Sequence, residues 1–273
     1  MRHMRQADPI ETAGTDRRAG KPRRKRNVII ANLLIVAGVL LLLTSAGMWG
    51  TAQWRYHEQD KVNRELAEFA EVQDTESNAP KVDWEGLKAV NDEVCGWLQV
   101  PGTTINYPVY QAEDNEKYLH RSISGEYLYA GSIFLDSKCS RSFRAYNTIL
   151  YGHNMRDGSM FAKLKDYRDP EIYKSCPYFW IFTPQKDLLY RICSIHPEGV
   201  GGSSFIIRFG SGKELEEWRQ KVREQSEVET GWEPNPEDRI VTLSTCTEDR
   251  GTRYTVQGVL VYEENQGGQR GDG

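Results

Sequence analysis

Thr242-Leu243-Ser244-Thr245-Cys246 places a cysteine at the end of a β-rich run, and Arg253 follows seven residues later, directly before Tyr254-Thr255-Val256. Far upstream, Tyr151-Gly152-His153-Asn154 sets a histidine inside a turn-like segment. A thiol, an imidazole and a guanidinium are the parts of cysteine-dependent acyl transfer. The thiolate attacks a carbonyl, the imidazole moves protons, and the cation stabilises the tetrahedral oxyanion.

Each of these residues has a blander alternative. A free cysteine in a strand is commonly a small buried apolar group. Here the run before Cys246 ends abruptly in the polar stretch Thr247-Glu248-Asp249-Arg250-Gly251, which puts the thiol at a strand end, where functional groups concentrate. Among the five histidines, His3 lies in a basic N-terminal stretch and His57 just past an apolar run. His153, His120 and His196 remain, and His196, followed by Pro197, reads as a loop residue. Gly152 beside His153 allows a sharp bend or a close backbone approach. Arg253 is fixed at a strand start, whereas Arg250 belongs to the polar loop, and a fixed guanidinium holds a forming oxyanion better than a mobile one. Glu248 or Asp249 could orient an imidazole, although a solvated loop carboxylate explains either one.

The elements that must position these groups are mostly short strands. Gly96–Val100 and Tyr107–Tyr110 flank the turn Pro101-Gly102, and Gly131–Leu135, Asn147–Tyr151, Phe179–Thr183, Leu188–Ile195, Arg239–Leu243 and Tyr254–Tyr262 follow. Many short strands separated by turn residues predict a barrel or a sandwich. Trp84–Val90 reads as a short helix. Ser211 with Glu214 forms a capping-box pattern, and Leu215, Trp218 and Val222 mark one face of a helix running to about Gln225.

A formal net charge of −4 gives no global pull toward nucleic acid. The local pattern is more telling. Lys21-Pro22-Arg23-Arg24-Lys25-Arg26 precedes an uncharged run from Val28 to Trp49, long enough to cross a bilayer. Basic residues on that side predict a cytoplasmic N-terminus and an external domain. The small residues Thr44-Ser45-Ala46-Gly47 leave a cleaved signal peptide as the competing reading, which the length of the run disfavours. Tyr56 to Val72 has helical spacing at Val62, Leu66 and Phe69, and Thr75–Pro80 reads as a linker. The expected organisation is a cytoplasmic tail (1–27), a transmembrane helix (28–49), a helical stalk and linker (50–81), a catalytic domain (82–263) and a disordered tail (264–273). Five cysteines leave at least one thiol unpaired within the chain, and a pairing among Cys95, Cys139, Cys176 and Cys193 stays open. There is no CxxC pair and no zinc-type His/Cys spacing, so no structural metal is expected.

The motifs resemble the class B sortases over most of residues 82–262. Asp83–Asn91 is similar to that family's N-terminal helix. Gly96-Trp97-Leu98, Pro101-Gly102-Thr103 and Ile105–Val109 are similar to its first strands, and Ala130–Asp136 is also family-like. Asn147–Met155 continuing through Gly158-Ser159-Met160-Phe161 is the most specific segment, joined by Thr242–Cys246 and Arg253. The resemblance implies a mainly β fold: a closed barrel decorated with helices, the 212–225 helix inserted before the cysteine strand, and the transmembrane helix in front. It implies Cys246, His153 and Arg253 as the catalytic set and Ser244, Asn115 and Leu119 as peptide contacts, with no cofactor. The implied reaction is transpeptidation at the cell membrane. Cys246 attacks a threonine carbonyl in the C-terminal sorting signal of a secreted protein. An amine of a lipid-linked peptidoglycan precursor or a pilin then resolves the thioester. A membrane-anchored cysteine peptidase, with water as the resolving nucleophile, is the alternative. A non-catalytic wall-binding module would have no use for an intact Cys, His and Arg set.

Overall fold

The computed structural model describes residues 23–67, 70–71, 81–246 and 251–266. The expected cytoplasmic tail up to residue 22, the linker Thr75–Pro80, the loop carrying Glu248, Asp249 and Arg250, and the tail from Gly267 lie outside the described residues. The chain divides into two units, Met1–Gln53 and Trp54–Gly273.

Helix α1 (Arg23–Ala67) contains the apolar run. Its stretch Ile29–Thr51 has a mean hydropathy of 2.5 and no buried window, so by length and composition it can span a membrane. The helix starts at Arg23, inside the stretch expected to be tail, and ends at Ala67. The helical reading of Tyr56–Val72 is thus too long. Ala70–Glu71 is instead strand β1, antiparallel to β2 (Lys81–Val82). Periodicity over so few apolar positions does not resist capture of the chain by a neighbouring strand.

The second unit is built on a closed barrel. Its strands are β3 (Val94–Gln99), β4 (Asn106–Tyr110), β5 (Ile133–Leu135), β6 (Asn147–Gly152), β7 (Tyr178–Phe182), β8 (Lys186–Gly199), β9 (Ile240–Cys246) and β10 (Thr252–Asn265). They close in the order β10-β8-β7-β3-β4-β5-β6-β9. The β4–β5 and β6–β9 pairs are parallel and the remaining pairs antiparallel. Closure leaves the barrel itself without an edge strand. Strands β3 and β4 are buried almost throughout rather than in alternation, because both faces are covered. Inside lie Leu98, Ile105, Val109, Leu150, Ile181, Ile192, Leu243 and Val256. Outside, Trp97, Tyr110, Tyr118 and Phe182 pack with Leu87 of α2 (Trp84–Val90).

Strand β10 runs to Asn265, past the expected end of the domain at residue 263. Strand β8 also runs further than its apolar core suggests, and the reading of His196 as a loop residue is wrong: it is a strand residue paired with Thr255 and 2% exposed. Pro197 misled because proline cannot donate to a ladder. Ile195 turns its N–H and C=O away from β10, toward Ser226 and Glu227. Pro197, two residues on, shares that outward side, where β8 no longer pairs with β7 beyond Arg191, so the missing N–H costs no sheet bond. Helix α3 (Pro170–Ser175) was not anticipated, although Asp169-Pro170-Glu171 carries its start signal. Asp169 accepts from the Glu171 amide at 2.9 Å and Pro170 occupies the first turn.

Helix α4 (Gly212–Glu224) is capped by Ser211, which accepts from the Glu214 amide at 3.2 Å. Glu214 reaches back one residue beyond the expected box and accepts from the Gly210 amide at 2.7 Å. Its buried face, including Leu215, Trp218 and Val222, covers Cys193, Ile240 and Val259 of β8, β9 and β10.

Trp97 is fully buried and its indole N–H donates to Asn106 Oδ1 at 2.6 Å. Trp97→Ala should therefore cost about 3–5 kcal/mol, read as a lowered urea midpoint at unchanged slope. A loss under 1 kcal/mol would contradict this account of the outer core.

Candidate active site

The three expected reacting residues stand at adjacent strand ends. Cys246 is the last residue of β9 and pairs directly with Arg253, the second residue of β10. On the other side of β9, the parallel ladder with β6 ends at the pair Gly152–Thr245, and His153 and Cys246 are the next residue on each strand. With strands about 4.8 Å apart, the backbones of His153, Cys246 and Arg253 lie across about 10 Å. A hairpin ladder and a parallel ladder thus do the positioning that separation in sequence conceals.

The position of His153 follows from its neighbours. A Cβ on Gly152 would come within 2.5 Å of Ile133 Cδ1 and 2.7 Å of Phe161 Cγ. The glycine is there for close approach rather than for a bend. Past it, the His153 carbonyl accepts from the Phe161 amide at 2.9 Å and Asn154 bridges to Met160, which folds the segment back on itself. The His153 ring meets the His120 ring edge-on, centroids 5.3 Å apart. The exposed His120 is held in turn by a contact of 3.0 Å between Nδ1 and the Tyr129 carbonyl. Burial, then the nearby His120 and Arg253, hold the His153 imidazole down to about 4, so it is neutral at pH 7.

His153 and Arg253 line one cleft of about 350 Å³ together with Ser244, Asn115 and Leu119, the three expected peptide contacts. Ser244 is 1% exposed and its hydroxyl has no hydrogen-bond partner among the described residues, so a donor or acceptor in the cleft could take it up. Asn115 is tied into the framework: its amide donates to Asp136 Oδ2 at 2.8 Å and its carbonyl accepts from the Ser137 amide at 2.7 Å. The Tyr151 hydroxyl donates to that same Asp136 oxygen at 3.1 Å. Leu119 ends a short 3-10 turn, Lys117–Leu119, and packs half-buried over the outer core. Phe134, Tyr151, Val200, Gly201 and Phe205 also line the cleft and were not anticipated. Tyr151 was within reach of sequence reasoning, since it lies two residues before His153 and pairs across the ladder with Ser244. Val200 and Phe205 were not, because they come from a turn with no periodic signal.

Three of the other cysteines do not compete. Cys95, Cys139, Cys176 and Cys193 are all free thiols, which closes the question of pairing among them. Burial pushes Cys95 up to about 12 and Cys139 up to about 11, and it raises Cys193 as well. None of these three forms a thiolate near neutral pH. Among the described residues there is no cluster of metal-ligating side chains.

The neutral, half-buried His153 makes stability pH-dependent. In the unfolded chain it takes up a proton near 6.5, whereas in the folded chain it resists until about 4. Its contribution is complete above 6.5 and is lost as pH falls from 6.5 toward 4, on the order of 2 kcal/mol. His196, also shifted down by burial, acts in the same direction. Unfolding free energies from urea titrations at pH 7.5 and 4.5 should converge by that amount in His153→Gln; an unchanged gap would contradict the assignment.

No protein-family model matches the chain. It is 35% identical to sortase B of Listeria monocytogenes over 178 residues, 64% of this chain and 72% of that protein. Sortase B of B. anthracis, solved in complex with AAEK1, is 34% identical. It superposes with a TM-score of 0.65 over 76% of this chain and 98% of that one. A sortase B–substrate complex from Staphylococcus aureus is 26% identical with a TM-score of 0.62, covering 65% and 84% of the two chains. The barrel order, the helix laid over β8 to β10 and these likenesses lead to one conclusion: the chain belongs to the class B sortases, which are cysteine transpeptidases.

Proposed function

We propose that this sortase is anchored in the cell membrane by residues 28–49, with its tail (1–27) cytoplasmic and its catalytic domain (82–263) outside, beyond a stalk and linker (50–81). There it cleaves the C-terminal sorting signal of a secreted protein after a threonine. It joins the new carboxyl end to an amine of a lipid-linked wall precursor or a pilin. One observation supports the assignment of roles: His153, Cys246 and Arg253 occupy neighbouring positions at three adjacent strand ends, and His153 and Arg253 line one cleft.

In the first half-reaction His153, neutral at rest, takes the Cys246 thiol proton as the sulfur attacks the threonine carbonyl carbon. Arg253 stabilises the oxyanion that forms. The carbon–nitrogen bond then breaks, and the proton His153 accepted goes to the leaving amine. In the second half an amine attacks the thioester carbonyl and gives up a proton to His153, the carbon–sulfur bond breaks, and that proton passes to the sulfur and restores the thiol. Ser244, Asn115 and Leu119 flank the peptide in the cleft. The exposed apolar helix and the basic residues ahead of it support the anchor, which brings the site to the membrane face where lipid-linked amines reside.

Cys246→Ala should abolish the thioacyl intermediate seen by mass spectrometry, while alanine at Cys95, Cys139, Cys176 or Cys193 should spare turnover in variants that fold. His153→Ala and Arg253→Lys should each lower kcat by about a hundredfold or more. A larger loss in Arg250→Ala than in Arg253→Ala would move the oxyanion role to Arg250. With a cognate peptide and an added primary amine, amide-linked product is expected. Hydrolysed peptide alone across many amines, a natural wall precursor included, would make the protein a peptidase. Protease added to intact protoplasts should digest everything after residue 50; full protection would overturn the topology.

A further inference from the structure

One wall of the cleft is the turn that leaves β8, where Val200, Gly201 and Phe205 face the opening. It contains a single 3-10 turn, Ser203–Phe205, and its own backbone bonds are local ones, from the Gly202, Phe205 and Ile206 amides to the carbonyls of Gly199, Gly202 and Ser203, with the Val200 amide donating to the Gly251 carbonyl. Two sets of buried polar side chains, none of which lines the cleft, hold it from behind.

The first set is centred on His196. Its Nδ1 lies 3.0 Å from Ser194 Oγ and its Nε2 3.0 Å from Ser204 Oγ. The Ser204 hydroxyl donates to Glu198 Oε2 at 3.1 Å. The same oxygen accepts from the Ser204 amide at 3.2 Å, and the Ser203 hydroxyl, with one proton to give, stands 3.1 Å from it and 2.9 Å from Gln225 Oε1. With the Ser204 proton committed to the carboxylate, Nε2–H donates to Ser204 and Nδ1 accepts from Ser194. The bonds form one directed chain that ends on Glu198. The second set crosses the strands of the proposed catalytic residues. Gln257 of β10 donates to Thr242 of β9 at 2.9 Å, and Thr242 donates to Asn147 of β6 at 2.9 Å. The Asn147 amide then donates to the carbonyls of Ser204 at 2.9 Å and Ile206 at 2.8 Å. Gln257, Thr242 and Asn147 are fully buried.

We infer that His196, Glu198 and Asn147 are positioning residues for substrate recognition: they fix the Val200–Phe205 wall against β6, β9 and β10 so that the sorting peptide meets a preset groove. The inference rests on the peptide-transfer reading above. Phe205 extends the preset surface by stacking on Tyr151, centroids 6.5 Å apart. Gly202 is part of the device, because a Cβ there would come within 2.0 Å of Glu198 Oε1 and so must drive the carboxylate off its donors.

The test uses the full chain in detergent, a fluorescence-quenched sorting-signal peptide selected as one the parent cleaves, and iodoacetamide as a small thiol probe. Glu198→Gln and Gly202→Ala act on the wall from opposite sides of one contact. Each should raise the peptide KM about fivefold to tenfold, the effect of one or two lost buried hydrogen bonds, with kcat and the Cys246 alkylation rate within about twofold of the parent. Asn147→Ser should shift KM in the same direction. Because every variant keeps Cys246, His153 and Arg253, an unchanged KM in both Glu198→Gln and Gly202→Ala overturns this inference and leaves the catalytic reading standing. A fall of kcat and alkylation in step with the rise in KM would also overturn it, since it would show a general loss of structure rather than a displaced wall.

Discussion

The parallel pairing of β6 with β9 is the constraint on which the rest of the site depends. Parallel neighbours cannot be joined by a tight turn, so the chain must leave β6, build other structure and return. Here it builds α3, β7, β8 and α4 before β9 lies down beside β6. That return closes the barrel and brings two strand ends that are remote in sequence to the same rim. The β9–β10 hairpin then adds a third end beside them. A histidine, a cysteine and an arginine gain proximity from ladder geometry alone, without a bond between their side chains having to create it.

The rim is also where burial acts selectively. Cys95 in the barrel interior and Cys193 beneath α4 are enclosed and their thiols held protonated. At the rim, His153 is enclosed just enough to stay neutral yet still lines the cleft. The same low-dielectric surroundings that silence a thiol in the core make an imidazole at the edge a base rather than a resident cation.

Much of the barrel was legible in the chain, since eight apolar runs between turn residues correspond to its eight strands. Their ends were less so. Strand β8 runs on through Pro197, and β10 through Glu264 and Asn265, because long-range pairing rather than local composition decides where a ladder stops. His153 and Arg253 announce themselves by type and setting, and Ser244, Asn115 and Leu119 were expected from the family resemblance, whereas Val200 and Phe205 matter only because a turn presents them, and nothing in their spacing says so. His196 shows the opposite failure. A histidine before a proline looked like surface, and the structure buries it among serines that are individually unremarkable in sequence.

The pairing of Cys246 with Arg253 has an evolutionary corollary. The ladder beneath these two residues, Thr245 on Tyr254 and Ser244 on Thr255, holds their registry from below. Lengthening the connection between them carries only a slowly growing entropic penalty. Insertions between the two positions can therefore remodel what approaches the rim while leaving the thiol and the guanidinium at the same spacing. A lineage of such enzymes can diversify its clientele there without reinventing its chemistry.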